Sequence, residues 1–186
     1  MRYYWAFVLS VLILDFSNYL RHVLFHRMSL LWRFHSVHHS DPDYDFTLGF
    51  RFHPVEAIIT TAVSLGVLVF VGVPVLAFLL YEILFVVTAM FSHGNVRMPE
   101  PVDRWLRYFV ITPDMHRVHH SVILRESNSN FGTLLPWWDW VFGTYIAQPA
   151  LGHEAMSVGL SNMRDPKSLT LGRLLVRSFY LRPEAS

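Results

Sequence analysis

Apolar residues fill this chain in long blocks, and the residues that interrupt them predict its elements. The longest block covers 55–92 and is broken near its middle by Gly72-Val73-Pro74. Taken whole it is too long for one membrane crossing. Split at the break it gives two halves of about 18 residues, the lower limit for a helix that spans the hydrocarbon layer. Glycine followed closely by proline suits a tight reversal, so the pattern predicts a helical hairpin whose only charge beyond Glu56 at its entry is Glu82. A carboxylate inside a membrane is as a rule paired or functional. A second block, 3–14, is uniformly apolar and is followed by Asp15, Asn18 and His22. No small-residue cleavage site follows it, so it reads as a membrane helix and not as a secretory signal. Continued to His26, that helix is roughly 36 Å long, enough to cross and protrude. A soluble core built on the hairpin is disfavoured, because no amphipathic helices of matching size remain to cover it.

Composition moves the picture the same way. Charged residues make up 16% of the 186 positions, against about 25% in a typical soluble domain. The length suits one domain, read as a membrane domain over 1–148 and a tail over 149–186. The tail carries Arg164, Lys167, Arg173, Arg177 and Arg182 and is expected to lie against the membrane surface. A net charge of +1 with no basic run among aromatics gives no sign of nucleic-acid binding. Cysteine is absent, so a metal could be held only through nitrogen or oxygen. If 21–53 and everything from His93 onward share one side, that side holds fourteen of the fifteen Lys and Arg, leaving Arg2 opposite. The positive-inside rule then makes it cytoplasmic. All eleven histidines fall on that face.

The histidines are grouped. His22 and His26 are spaced i, i+4, which puts both imidazoles on one helical face. His35-Ser-Val-His38-His39 and His116-Arg-Val-His119-His120 repeat one HxxHH box, whose i, i+3 and i+4 positions also converge if the segment is helical. Thr112, Pro113 and Asp114 write a helix start before the second box, and Ser40-Asp41-Pro42 closes the first. With His93 after the hairpin this makes nine imidazoles, too many for one ion and suited to two ions with four or five ligands each. Imidazole suits iron, zinc, copper or nickel alike. No Glu-x-x-His motif of the carboxylate di-iron bundles occurs.

The ordered set of motifs resembles the fatty acid hydroxylase superfamily, which includes the sterol desaturases. The residues that carry the likeness are Asp15-x3-Tyr19-x2-His22-x3-His26, Trp32-Arg33-x-His35-x2-His38-His39-Ser40, and Arg51-Phe52-His53-Pro54-x-Glu56. They continue with Ser92-His93-Gly94-Asn95, Thr112-Pro113-Asp114-Met115-His116-x2-His119-His120-Ser121, Asn130-Phe131-Gly132 and Trp138-Asp139-x2-Phe142-Gly143-Thr144. The resemblance implies an all-α integral membrane protein of about three transmembrane helices, one N-terminal helix plus the hairpin. A cytoplasmic helical cap would hold a di-iron site. It further implies an enzyme that uses O2 to hydroxylate an unactivated C–H bond of a fatty acyl, sterol or related lipid. The implied iron ligands are His22, His26, His35, His38, His39, His93, His116, His119 and His120. Desaturation and ether-lipid cleavage are alternatives on the same site. Family members often have membrane helices upstream of the first box, so this chain reads as a compact member or as one with a shortened start.

No Gly-rich dinucleotide fingerprint or haem attachment motif is present, so electrons are expected from a separate carrier of cytochrome b5 or ferredoxin type. The reading from another class is a metal transporter or haem-binding subunit, whose ligands belong inside the spans; the hairpin spans contain no histidine. His53 is expected to cap the hairpin or orient a ligand, with ligation the alternative. Trp137, Trp138, Asp139 and Trp140 are expected at the membrane interface. Glu126, Asn128 and Asn130 are candidates to hydrogen-bond the imidazoles, and His153 is expected on the solvated surface.

Overall fold

The computed structural model describes residues 2–180, where helices and connecting turns account for the fold and no strand forms beyond an isolated bridge between Ser121 and Val158. The helices are α1 (Arg2–Arg27), α2 (Ser29–His35), α3 (Pro54–Val71), α4 (Val75–Ser92), α5 (Glu100–Leu106), α6 (Pro113–His119), α7 (Leu124–Ser127), α8 (Trp137–Phe142), α9 (Gly152–Ala155) and α10 (Leu171–Tyr180). Short 3-10 turns occupy His38–Ser40, Phe46–Phe50 and Pro166–Leu169. Of the tail cations, Arg182 lies outside the described residues.

Three helices, α1, α3 and α4, are long and apolar enough to cross a membrane. The hairpin breaks where its sequence predicts. Gly72 takes φ 74° as the left-handed C-cap of α3, a conformation that suits glycine, and Pro74 precedes α4. Only 11% of the apolar window of α3 is buried, and Phe70 is 92% exposed. A helix that is apolar all round and uncovered by protein needs lipid to cover it.

The polar interior lies between the spans. Tyr81 of α4 is fully buried and packs with Leu14, Val73 and Ala77. Its hydroxyl accepts from Asn18 Nδ2 (2.6 Å) and donates to Asp15 (3.3 Å). Asp15, itself fully buried, also accepts from Thr133 Oγ1, the backbone N–H groups of Leu134 and Leu135, and Trp138 Nε1 at 2.8–3.2 Å. One carboxylate on α1 thus clamps the segment 133–138. Trp138 therefore faces inward, correcting the expectation that all three tryptophans sit in an interfacial belt; Trp137 and Trp140 remain exposed. The tail packs on the cap: Leu174 and Met163 bury against Val37, and Phe179 meets Phe34 edge-on.

Candidate metal centre

Each imidazole arrives from an element that the local sequence explains. His22 and His26 lie one turn apart near the end of α1, and His35 ends α2. His38 and His39 sit in the following 3-10 turn, and His93 is the C-cap of α4. Thr112 caps α6 by accepting from Met115 N, with Pro113 in the first turn; His116 and His119 follow, and His120 is the C-cap. All nine are buried.

They form two groups. His22, His26, His35, His39 and His119 make one; His38, His93, His116 and His120 make the other, and within each group the ligand nitrogens lie within 4.8 Å of one another. An ion about 2.1 Å from each imidazole nitrogen would space opposite nitrogens at about 4.2 Å, so each group closes around one ion with small adjustments. The groups adjoin: the rings of His39 and His120 stack at 4.5 Å.

Both HxxHH boxes are divided between the groups, which corrects the expectation that each box presents three imidazoles on a single face. In the first box His35 and His39 serve one group and His38 the other. In the second, His116 and His120 go together and His119 crosses over. The first box is not one helix, since α2 ends at His35 and a 3-10 turn begins at His38. In the second box His120 has left the helix as its cap.

The far nitrogen of several rings is already committed. Nδ1 of His22 donates to the Phe131 carbonyl (2.8 Å), His119 Nδ1 to the Ser129 carbonyl (2.7 Å), His93 Nδ1 to the Ala89 carbonyl (2.7 Å) and His35 Nδ1 to Glu56 Oε1 (2.7 Å). A ring that donates from Nδ1 keeps a bare lone pair at Nε2 when neutral. Yet Nε2 of His22 faces Nε2 of His35 at 3.2 Å, and Nε2 of His93 faces those of His38 (3.2 Å) and His116 (3.0 Å). In the His22–His35 pair both rings donate from Nδ1, so two lone pairs converge with no proton between them and call for a cation. Nε2 of His26, His39, His119 and His120 is buried without a hydrogen-bond partner, as ligand atoms are when the ion is left out. Burial, followed by repulsion between neighbouring rings, holds the imidazoles of His35, His39, His116 and His120 well below their ordinary pKa. They are neutral at neutral pH, the form that binds metal.

Two of the carbonyl partners, Ser129 and Phe131, come from a loop held in an unusual shape. Asn130 has φ 50°, and its side chain donates to the carbonyls of Met115 and Ile146 and accepts from Ile146 N. That turn points the carbonyls of Ser129 and Phe131 at two imidazoles. Asp139 pins the next step by accepting from Phe131 N and Gly132 N, both at 2.8 Å. A Cβ on Gly132 would sit 2.8 Å from Asp139 Oδ2 and 2.9 Å from the Leu135 carbonyl, so the site needs glycine. Asp139 is therefore a buried fastener and not an interfacial residue. Asn130 orients imidazoles only through its neighbours' carbonyls, and Glu126 accepts from Ala150 N (2.6 Å). His53 lies outside both groups: its Nδ1 accepts from Val55 N as the N-cap of α3, and Nε2 donates to the Leu175 carbonyl. His153, expected in solvent, is partly buried, with both ring nitrogens shielded and unpartnered.

A cavity of about 60 Å³ opens against both groups, reaching His22 and His35 of one and His38, His93 and His116 of the other, with Phe25, Phe52 and Phe85 on its walls. Residues 7–144 match the sequence profile of the fatty acid hydroxylase family. The chain belongs to that family. Among its relatives, the ornithine lipid hydroxylase OlsE of Rhizobium tropici is 34% identical over 76% of this chain and 42% of its own length. The alkylglycerol monooxygenases of Xenopus tropicalis and Homo sapiens are 27% and 25% identical, over 77% and 85% of this chain and 31% and 34% of their own. The chain thus spans less than half the length of each of these relatives. No solved structure matches it.

Proposed function

We propose that this chain is a membrane oxygenase with two irons that uses O2 to hydroxylate a C–H bond of a lipid. The observation that carries the reading is one cavity bordered by imidazoles of both metal-binding groups and walled by aromatic side chains. The names of its relatives, a lipid hydroxylase and alkylglycerol monooxygenases, support the same class. The ligands proposed are the nine histidines, His22, His26, His35, His39 and His119 for one iron and His38, His93, His116 and His120 for the other. Residues 1–148 would form the oxygenase domain and 149–186 the tail against it.

Bound iron would supply the capacity to activate O2, which imidazole and carboxylate lack. The chain's own groups supply geometry. Carbonyls of Ser129, Phe131 and Ala89 and the Glu56 carboxylate fix ring orientation, an outer layer on which ligand sites depend. Phe25, Phe52 and Phe85 give a hydrocarbon chain a dry lodging beside the histidines. The balance is one C–H bond and one O2 consumed with two electrons and two protons, giving one C–OH and one water. The electrons come from a separate one-electron carrier of cytochrome b5 or ferredoxin type. The distribution of Lys and Arg supports a cytoplasmic histidine face.

Membranes containing the protein, compared with a deletion strain under 18O2, test the reaction. A lipid that gains one 18O atom is expected. A product two hydrogens lighter without label would make the chain a desaturase. A labelled aldehyde released from an ether lipid would make it an ether-cleaving monooxygenase.

A further inference from the structure

Three ionisable side chains beside the histidines are not among the metal-ligating groups, although Glu56 also orients His35 through Oε1. Arg21 precedes His22 on α1, Glu56 lies in the first turn of α3, and Glu82 lies midway along α4. Arg21 is within electrostatic reach of both carboxylates. Even so, Arg21 Nη1, Glu56 Oε2 and Glu82 Oε1 are each buried without a hydrogen-bond partner. Charge-bearing atoms left bare at a membrane-embedded site are costly, and a group with matching donors and acceptors would complete them.

Two of the trio reach the cavity. Arg21 and Glu56 line it, as do Phe85 and Ala89 of α4; Glu82 falls on the same stripe as these two, at i, i+3 and i+7. One part of the cavity wall is aromatic, and this part is charged. The depth is telling as well. Glu56 is the third residue of α3, and Ser92, which also lines the cavity, is the last of α4. Each of these helices is about 27 Å long, so the cavity begins at the ends of the spans, near the level of lipid headgroups, and runs inward along α4 past Ala89 and Phe85 toward Glu82.

We propose that Arg21, Glu56 and Glu82 bind the polar part of the lipid substrate, and that the carbon hydroxylated lies in or next to the headgroup. This rests on the oxygenase reading. The group bound would present an acceptor oxygen to Arg21 and an O–H or N–H to the free carboxylate oxygens, as a hydroxyl, amide or amine-bearing headgroup does. A methylene far along an acyl chain would set only hydrocarbon against all three.

Tandem mass spectrometry of the lipid labelled by the full-length protein under 18O2 decides the position. The 18O is expected in headgroup or glycerol fragments. Label confined to acyl-chain fragments overturns the proposal while leaving the oxygenase reading intact. No label in any lipid, from protein that retains iron and receives electrons, overturns both. Arg21→Gln and Glu82→Gln test the anchor itself, with a rise in KM for the labelled lipid of about tenfold or more, a smaller change in kcat and iron content retained. Unchanged KM in both variants would mean that water alone fills the trio. Should Arg21→Gln lose iron, Glu82→Gln carries the test.

Discussion

His119 and His120 are neighbours in sequence, yet they fall in different histidine groups, their rings set at 87° to one another. His119 joins four imidazoles from the first helix and the first box. His120 joins His38, His93 and His116. Substituting these adjacent residues should therefore disturb different ions. His119→Ala and His120→Ala are each expected to lose one iron site preferentially and to reduce turnover by at least about a hundredfold, the scale on which a catalytic site fails when its geometry is spoiled. Metal analysis with Mössbauer spectroscopy reads the result, and loss of the same spectral component in both variants would contradict the division.

Glu56 would act on a bound iron only through His35, from whose Nδ1 it accepts a hydrogen bond at 2.7 Å. Glu56→Ala removes that acceptor and should weaken iron binding by about 10–100-fold. Glu56→Gln keeps a carbonyl oxygen in place and should recover most of the loss. Competition against a chelator measures both, and equal affinity in the two variants would show that His35 needs no acceptor there.

The hub at Asp15 predicts a stability effect separate from metal. Its two oxygens satisfy donors from Thr133, Leu134, Leu135, Trp138 and Tyr81. Asp15→Ala leaves these buried donors bare at about 1–3 kcal/mol for each that water does not reach. Thermal unfolding in detergent should show a loss of at least about 3 kcal/mol, with Asp15→Asn intermediate.

Acid should destabilise the iron-free protein. Burial lowers the His93 pKa to about 4, and burial is the leading cause of the depression in His35, His38, His39, His116, His119 and His120 as well. An unfolded imidazole takes up its proton near pH 6.5. From there down to about 4 the unfolded chain binds more protons than the folded one, so stability falls as pH falls. For His93 alone the loss is on the order of 3 kcal/mol. Asp139 opposes this: burial raises its pKa to about 6, so it favours the folded state as pH falls from about 6 toward 4. The buried carboxyls that act in this direction are outnumbered by the seven imidazoles and do not reverse the trend. Unfolding of the iron-free protein across pH 4–7 should slope upward with pH, and a flat or falling profile would contradict the burial of neutral rings.

Much of this layout is legible in the chain. Gly72 and Pro74 mark the hairpin because a left-handed cap and a fixed φ leave few other readings, and Thr112-Pro113-Asp114 announces α6 by its capping chemistry. What the spacing hides is the division of each HxxHH box, because a helical projection assumes a helix that runs through the box, and here both boxes contain a helix end. The partners of the rings are hidden too. Ser129, Phe131 and Ala89 act through backbone carbonyls, which carry no residue signature. Asn130 and Gly132, both within the Asn-Phe-Gly motif, are the nearest to one: they mark the turn that aims two of those carbonyls. Asp15 stood out as the first polar residue after an apolar block and the first of a motif, but its role as a hub was hidden because its five donors come from over sixty residues away.

The central claim is that nine histidines hold two irons, and counting them tests it most directly. Protein purified from cells grown on 57Fe should contain two non-haem irons per chain by combined metal analysis and Mössbauer spectroscopy, with two components of equal intensity and no Soret band. A single iron per chain at saturation, or a haem spectrum, would contradict the account.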